Sequence, residues 1–287
     1  RQFGSRCGHS SPPDTPRPGF ASNADAPEPV GSHAAATLQA AALLGRRTAE
    51  MHLALATPAG DPAFTPEPLT TEDLRRDALR IEDQLRASFE ALRSKLATLP
   101  EDLADESARL LARRRDLLQR ARSIAAESPT GNKIRIHGDY HLGQTLRTAA
   151  GDFVLLDFEG EPARPLAERR RKQSPLKDVA GMIRSFSYAA FAGLDRFRTA
   201  HPDRALATDN LPGWARAWEH AAAAAFLSAY RAHMTSAPGL LPDSGQADLL
   251  FNAYVLEKAL YELLYELNNR PGWLGIPLDG MLYLTQL

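Results

Sequence analysis

The chain has 287 residues, of which 44% are hydrophobic and 24% charged, with a formal net charge of −1. That is enough material for one large domain or two modest ones, and it lacks the basic excess of a nucleic-acid binder. A single cysteine, Cys7, excludes an internal disulfide and a cysteine-rich zinc site and fits a reducing cytoplasm; no apolar run approaches the roughly 18 residues of a membrane helix.

Residues 1–33 carry proline at positions 12, 13, 16, 18, 27 and 29 among many Ser, Gly and Asp, without apolar periodicity, and read as disordered. Residues 35–57 read as a helix with Leu38, Ala42, Ala49, Leu53 and Ala56 near one face; Glu50 and His52 are its polar exceptions, and Pro58 closes it. After a proline-rich loop, Thr70 or Thr71 is placed to cap a helix with Glu72 and Asp73 in its first turn. Leu74, Ala78, Ile81, Leu85, Phe89, Leu92 and Leu96 recur at steps of three and four along it. A third helix is predicted over 101–127, with Leu103, Leu110, Leu117, Leu118 and Ile124 inward and Arg113-Arg114-Arg115 on a solvated face.

The segment 133–162 carries the chemistry. Two strand-like runs, Lys133–Ile136 and Phe153–Leu156, precede His137-Gly138-Asp139-Tyr140-His141-Leu142-Gly143-Gln144 and Asp157-Phe158-Glu159-Gly160-Glu161-Pro162. A hairpin at Ala149–Asp152 would bring Asp139 and Asp157 close together. Two carboxylates and an amide suit phosphoryl transfer from ATP: Asp139 would orient and deprotonate the attacking hydroxyl, while Gln144 and Asp157 would supply the hard oxygen ligands that Mg²⁺ prefers. The competing reading makes both aspartates turn-capping loop acids. Glu159 and Glu161 suit either a second metal or substrate hydroxyl, or a polar turn before Pro162. Neither His137 nor His141 has the His/Cys/carboxylate spacing of a structural zinc site.

The basic run Arg164, Arg169, Arg170, Arg171, Lys172 and Lys177 reads as solvent-facing or as a screen for nucleotide phosphates. Ser174-Pro175 signals a helix start, with Asp178 in the first turn and Val179, Met182, Ile183, Phe186, Ala190 and Phe197 on an apolar face. A helix over 213–233 carries Trp214, Trp218, Phe226 and Tyr230, with Ala221–Ala225 allowing a close crossing. The last long helix, about 246–268, has a leucine stripe and, beside it, Lys258, Tyr261, Glu262 and Tyr265 at helical spacing. Aromatic faces, an acid and a cation on one face suit a disaccharide, with Glu262 paired to Lys258; a surface ion pair beside a tyrosine-lined edge is the alternative. Trp273 would complete the pocket.

His-Gly-Asp, an amide five residues beyond the Asp and a later strand-end Asp resemble the aminoglycoside-phosphotransferase-like kinases. The longer strings HGDYHLGQ (137–144), DFEGEPARPLAERRRKQSPLKDVAGMIRSF (157–186) and VLEKALYELLYELNNRPGWLGIP (255–277) are similar to bacterial maltokinase, including the maltokinase half of trehalose synthase fusions. The resemblance spans roughly residues 38–287. It implies a mainly α fold with a small β-sheet, residues 34–287 being the C-terminal lobe of a protein-kinase-like fold, with Asp178 fixing the catalytic loop and His137 supporting that loop and not moving protons, a role in which His141 is equally doubtful. It further implies Mg-ATP-dependent phosphorylation of maltose to maltose 1-phosphate for α-glucan synthesis, with a trehalose synthase as fusion or associated partner. Such kinases grip ATP with an N-terminal lobe. Residues 1–33 hold no strand series, Gly-rich loop or strand lysine to build one, so a fragment lacking that lobe, or an aberrant start or frame over 1–33, is expected. The alternatives are a non-catalytic maltose-binding module and a related kinase acting on an aminoglycoside, choline or another small alcohol.

Overall fold

Residues 11–22, 26–58, 60–162, 164–207 and 210–285 are described by a computed structural model of the chain. Helices α1 (Val30–His33) and α2 (Ala35–Leu55) come first, followed by strand β1 (Glu67–Pro68) and helices α3 (Thr71–Lys95), α4 (Glu101–Ala112) and α5 (Arg114–Ser123). Strands β2 (Asn132–Lys133), β3 (Thr145–Arg147) and β4 (Phe153–Leu155) then lead into helices α6 (Leu166–Arg169), α7 (Leu176–Ala200), α8 (Pro202–Ala207), α9 (Leu211–Met234), α10 (Ser244–Asn269) and α11 (Gly275–Leu284). The chain is mainly helical, as expected, and none of the described helices is long and apolar enough to cross a membrane.

The entry to α3 shows how local sequence sets an element. Thr70 Oγ1 accepts from the Asp73 amide at 3.2 Å while Asp73 Oδ2 accepts from the Thr70 amide at 3.1 Å, a reciprocal cap. The three-to-four periodicity then buries Leu74, Ala78, Ile81, Leu85, Phe89 and Leu92. The third predicted helix is divided at Arg113, which ends α4 and opens α5; its apolar positions Leu110 and Leu117 stay buried across the break. Helix α10 is the centre of the body, packed on α7, α3 and α11, while α2 lies along α9. The α2–α9 crossing depends on Gly45, whose absent side chain would collide with the Phe226 carbonyl.

The strands form two separate two-stranded antiparallel sheets, β1–β2 and β3–β4, where the sequence suggests one. The run Lys133–Ile136 pairs only at its start: Lys133 lies opposite Glu67, and Ile134 exchanges bonds with Gln173. Beyond it the chain leaves strand geometry because Gly138 turns at φ +85° and the amides of His137 and Gly138 are taken by a side chain, described below. The predicted hairpin forms, with Thr145 opposite Leu155 and Gly151 at φ +84° in the turn.

Residues 1–10 and 23–25 of the segment expected to be disordered lie outside the described residues. The rest of 1–33 is laid against the helices: Phe20 and Val30 are buried, and Arg17 pairs with Glu219 at 3.0 Å. Bonds from the helices to its backbone add to these anchors, Arg231 donating to the Phe20 and Ser22 carbonyls and Tyr283 to the Arg17 carbonyl; a composition dominated by Pro and Ser conceals this packing.

Replacing Gly45 by Ala should force α2 and α9 apart and cost about 1–3 kcal/mol, the usual range for overpacking. Gly193→Ala, at an exposed α7 position with open space around it, should instead stabilise by roughly 0.5–1 kcal/mol. Urea denaturation of the two variants checks the contrast; equal shifts would remove the crossing argument.

Candidate active site

The loop between β2 and β3 is held by a buried carboxylate. Asp178, in the first turn of α7, is 2% exposed. Its Oδ2 accepts from the His137 amide at 2.8 Å and its Oδ1 from the Gly138 amide at 2.9 Å. His52 Nε2 lies 3.1 Å from Oδ2, and His52 Nδ1 lies 2.9 Å from the Tyr230 hydroxyl. In the tautomer that suits both contacts, Nε2 donates to the carboxylate and Nδ1 accepts from the Tyr230 hydroxyl. Asp178 is therefore no surface acid answering the helix dipole alone; it closes two loop amides that no strand partner satisfies.

Helix α2 braces the same region at three points. Arg47 grips Asp152 of the hairpin turn with two 2.7 Å bonds, and Thr48 Oγ1 meets the Tyr140 hydroxyl at 2.8 Å. His52 is the third. The Arg47 bonds hold Asp152 down at about 2, below the usual carboxylate range. Gly181 of α7 leaves room for the Tyr140 carbonyl, which a side chain there would meet at 2.7 Å, and Ser185 Oγ accepts from the Leu142 amide at 2.9 Å. His137 is buried and donates from Nε2 to the Leu156 carbonyl at 2.7 Å, tying the loop to the end of β4. Both histidines thus hold backbone and loop.

The hairpin joins Gln144, not Asp139, directly to Asp157: Gln144 Nε2 donates to Asp157 Oδ2 at 2.9 Å, with Asp157 at φ 63°. The amide oxygen of Gln144 and the second carboxylate oxygen of Asp157 remain as hard donors on the surface, and they fit an ion such as Mg²⁺ that keeps water or phosphate oxygens as its other ligands. Among the described residues no three or more His, Cys, Asp and Glu converge as a metal cage.

Asp139 points the other way, toward α10. Lys258 Nζ lies 3.3 Å from its Oδ1, and His141 Nε2 lies 3.9 Å from its Oδ2. Asp139 lines two adjoining cavities. The inner one, about 80 Å³, also touches Arg164, Lys177, Tyr254 and Glu257. The outer one, about 420 Å³, is walled by His141, Glu161, Ser185, Tyr188, Tyr261, Glu262, Tyr265, Glu266 and Arg270. The four predicted α10 residues do share this region, with one correction. Glu262 does not pair with Lys258; its Oε2 accepts from Arg184 at 2.9 and 2.7 Å, both groups being buried. Tyr261 donates to Glu161 at 3.3 Å, its ring lies 4.9 Å from Lys258 Nζ, and burial together with Glu161 pushes its phenol up to about 12. Tyr265 is 44% exposed with Arg270 over its ring at 5.2 Å. Trp273 stacks near Tyr188, Phe191 and Arg270 and is not among the residues walling either cavity.

The basic run is largely paired. Arg164 bridges Glu168 and Glu257, Arg169 reaches Glu159, and Lys172 reaches Glu67. Lys177 lies 3.5 Å from Asp77 and 3.6 Å from Glu257, and Arg80 grips Glu257 at 2.6 and 3.0 Å. Burial alone would raise Glu257, but Lys177, Arg80 and Arg164 hold it well below its ordinary value. Arg80, Arg184, Glu257 and His52 are the important residues that sequence reasoning missed. His52 and Glu257 stand out in the sequence only as polar residues beside apolar helix positions, and Arg80 is indistinguishable there from the other charges of its polar face.

No protein-family model matches the chain. It is 30% identical over 237 residues to the glucosamine kinase of Streptacidiphilus jiangxiensis, covering 83% of this chain and 47% of that protein. It is 32% identical over 142 residues to the glucosamine kinase of Mycolicibacterium smegmatis, covering 49% and 32% respectively. A solved glucosamine kinase in complex with glucosamine, ADP and inorganic phosphate superposes with a TM-score of 0.66 at 29% identity, over 84% of this chain and 53% of that one. A further crystal form of glucosamine kinase gives 0.65 at 28% identity, over 84% and 51%. The chain spans about half the length of the relatives it matches most extensively. These likenesses support a sugar kinase and do not select maltokinase, so the narrower resemblance gives way to the broader class. Within that class the particular relatives are glucosamine kinases.

Asp178→Ala should strand two buried amides, each costing about 1–3 kcal/mol, and lower the urea midpoint accordingly, while Asp178→Asn retains one acceptor and should cost less. Equal costs would show that the carboxylate is not what holds the loop. Because Glu257 is depressed in the folded chain, the stability it lends is complete above its unfolded value of about 4.3. It is lost as pH falls through the lower folded value. Glu257→Gln should therefore show a shallower acid dependence of stability than the parent; an unchanged slope would contradict its ionised, paired state.

Proposed function

We propose that this chain forms the acceptor-holding lobe of a sugar kinase that transfers the terminal phosphoryl group of ATP to a hydroxyl of an amino sugar of the glucosamine class. The observation that carries this reading is the Asp139 carboxylate, on a loop pinned by Asp178, opening into a cavity walled by tyrosines and carboxylates. Similarity to glucosamine kinases supports it. Asp139 orients the acceptor hydroxyl and takes its proton as the oxygen bonds to phosphorus and the bond to the leaving diphosphate breaks. Gln144 and Asp157 would hold Mg²⁺, which when bound neutralises charge on the transferred group.

The carboxylates around the cavity favour an amino sugar. Glu262 is committed to Arg184 and Glu266 to Arg270. Glu161 is held only by the Tyr261 hydroxyl among the described residues, which leaves it to receive a substrate ammonium group. By sequence, a mixed Lys258–Glu262 pair beside the tyrosines would suit a neutral sugar better than a polycation, but that pair does not form because Arg184 takes Glu262. Maltose is the second reading. It is favoured by the exposed ring of Tyr265, which offers a stacking face for a second sugar unit beyond Tyr261.

The test is product formation followed by phosphorus NMR with Mg-ATP and glucosamine, glucose, maltose or kanamycin. Glucosamine phosphate is expected, with Asp139→Asn lowering turnover about 10²–10⁴-fold while glucosamine affinity is largely kept. Glu161→Gln should raise KM for glucosamine about tenfold, the order of one lost charged contact, and leave glucose nearly untouched. Preferential turnover of maltose would select the second reading. Glucosamine binding without product would favour a non-catalytic sugar-binding module.

A further inference from the structure

Lys258 belongs, by sequence pattern, with the tyrosines that would hold a sugar. Its position argues otherwise. It stands between the inner and outer cavities and walls both. Its ammonium group lies 3.3 Å from Asp139 Oδ1 and 4.9 Å from the centre of the Tyr261 ring, and its side chain is 26% exposed. A cation resting on an aromatic face and bonded to one carboxylate oxygen has its direction fixed from two sides. The Tyr261 ring is fixed in turn by its hydroxyl bond to Glu161.

The two oxygens of Asp139 are consequently unlike. Oδ1 is taken by Lys258. Oδ2 faces His141 Nε2 at 3.9 Å. His141 Nδ1 accepts from the Gly143 amide at 3.0 Å, so the neutral ring carries its proton on Nε2 and has no lone pair to offer Asp139 or a substrate. Burial also lowers the His141 pKa, against the pull of Asp139, with Lys258, His137 and Glu161 as the other charged or titratable neighbours. His141 is thus a poor base for the acceptor hydroxyl, and the free oxygen beside it is the better one.

We infer that Lys258 is a positioning residue for Asp139 and not a sugar ligand: by occupying Oδ1 it turns Oδ2 to the acceptor hydroxyl. This rests on the kinase reading above. In the transfer step the hydroxyl proton passes to Oδ2, the hydroxyl oxygen bonds to the terminal phosphorus of ATP, and ADP leaves with the electron pair of the broken phosphorus–oxygen bond. Lys258 keeps its own proton throughout and holds the carboxylate in one orientation as its charge is partly neutralised.

The test compares the full chain with Lys258→Met and Lys258→Ala. Lys258→Met should lower kcat about 10²-fold, the cost of a misplaced catalytic group, while the dissociation constant for glucosamine, measured by calorimetry without nucleotide, stays within about twofold. Ethylammonium added to Lys258→Ala should restore part of kcat without changing KM. In protein carrying ¹³C-labelled aspartate, the Asp139 carboxyl resonance should move in Lys258→Met with neither sugar nor nucleotide present. A tenfold or greater loss of glucosamine affinity with kcat unchanged would overturn the inference, as would an unmoved Asp139 resonance. The resonance measurement needs no turnover. If the parent chain transfers no phosphoryl group to any sugar, the kinase reading fails, and the lysine–aspartate link is still decided.

Discussion

The site depends on one buried carboxylate. Asp178 takes the amides of His137 and Gly138 and the ring proton of His52 in the interior, where an unmade hydrogen bond is expensive and a made one is strong. Those two amides belong to the turn that carries Asp139. The turn cannot join a sheet, since Gly138 takes a left-handed conformation and α7 passes directly beneath, with Gly181 under the Tyr140 carbonyl. A side-chain acceptor from α7 resolves both constraints at once: it satisfies the amides and it aims the next residue at α10.

Helix α10 supplies the opposing wall by presenting different chemistry around its circumference. Leu250, Leu256, Leu260, Leu263 and Leu267 are buried in the core. Glu257 enters a buried charge cluster with Arg80, Lys177 and Arg164, and Glu262 pairs with Arg184. Lys258 and Tyr261 face the outer cavity beside Asp139. Buried pairs of this kind add little net stability when complete, and breaking one is costly. Their effect here is to use up carboxylates that would otherwise crowd the cavity with negative charge, leaving Asp139 and Glu161 to act on a ligand.

What the sequence disclosed and what it hid divide along separation in the chain. The Thr70–Asp73 cap, the β3–β4 hairpin with Gly151 and the apolar stripe of α3 rest on neighbours within a few residues, and their patterns are readable. Asp139, Gln144, Asp157 and the α10 face stand out in the sequence because each is polar at a conspicuous place, and Asp178 is singled out by the resemblance. Their partners were not found. Spacing along a helix makes Lys258 and Glu262 natural companions, yet Arg184 comes from 78 positions away and takes Glu262, while Lys258 turns to Asp139, 119 positions away. His52 reads as ordinary packing until Asp178 is set beside it, 126 positions on. Runs such as 164–177 mislead similarly: counting charges suggests a solvated or phosphate-facing strip, whereas Lys177 is buried among acids contributed by α3 and α10.

The central claim is that the cavity between the Asp139 loop and α10 is where the acceptor sugar sits. Intermolecular NMR contacts between glucosamine protons and the aromatic rings of this chain address it most directly, because they require neither nucleotide nor turnover. The account predicts contacts to Tyr261 and Tyr188, with shifts at the amides of the Asp139 loop. Contacts confined to other aromatic residues, or no contact at saturating sugar, would contradict it.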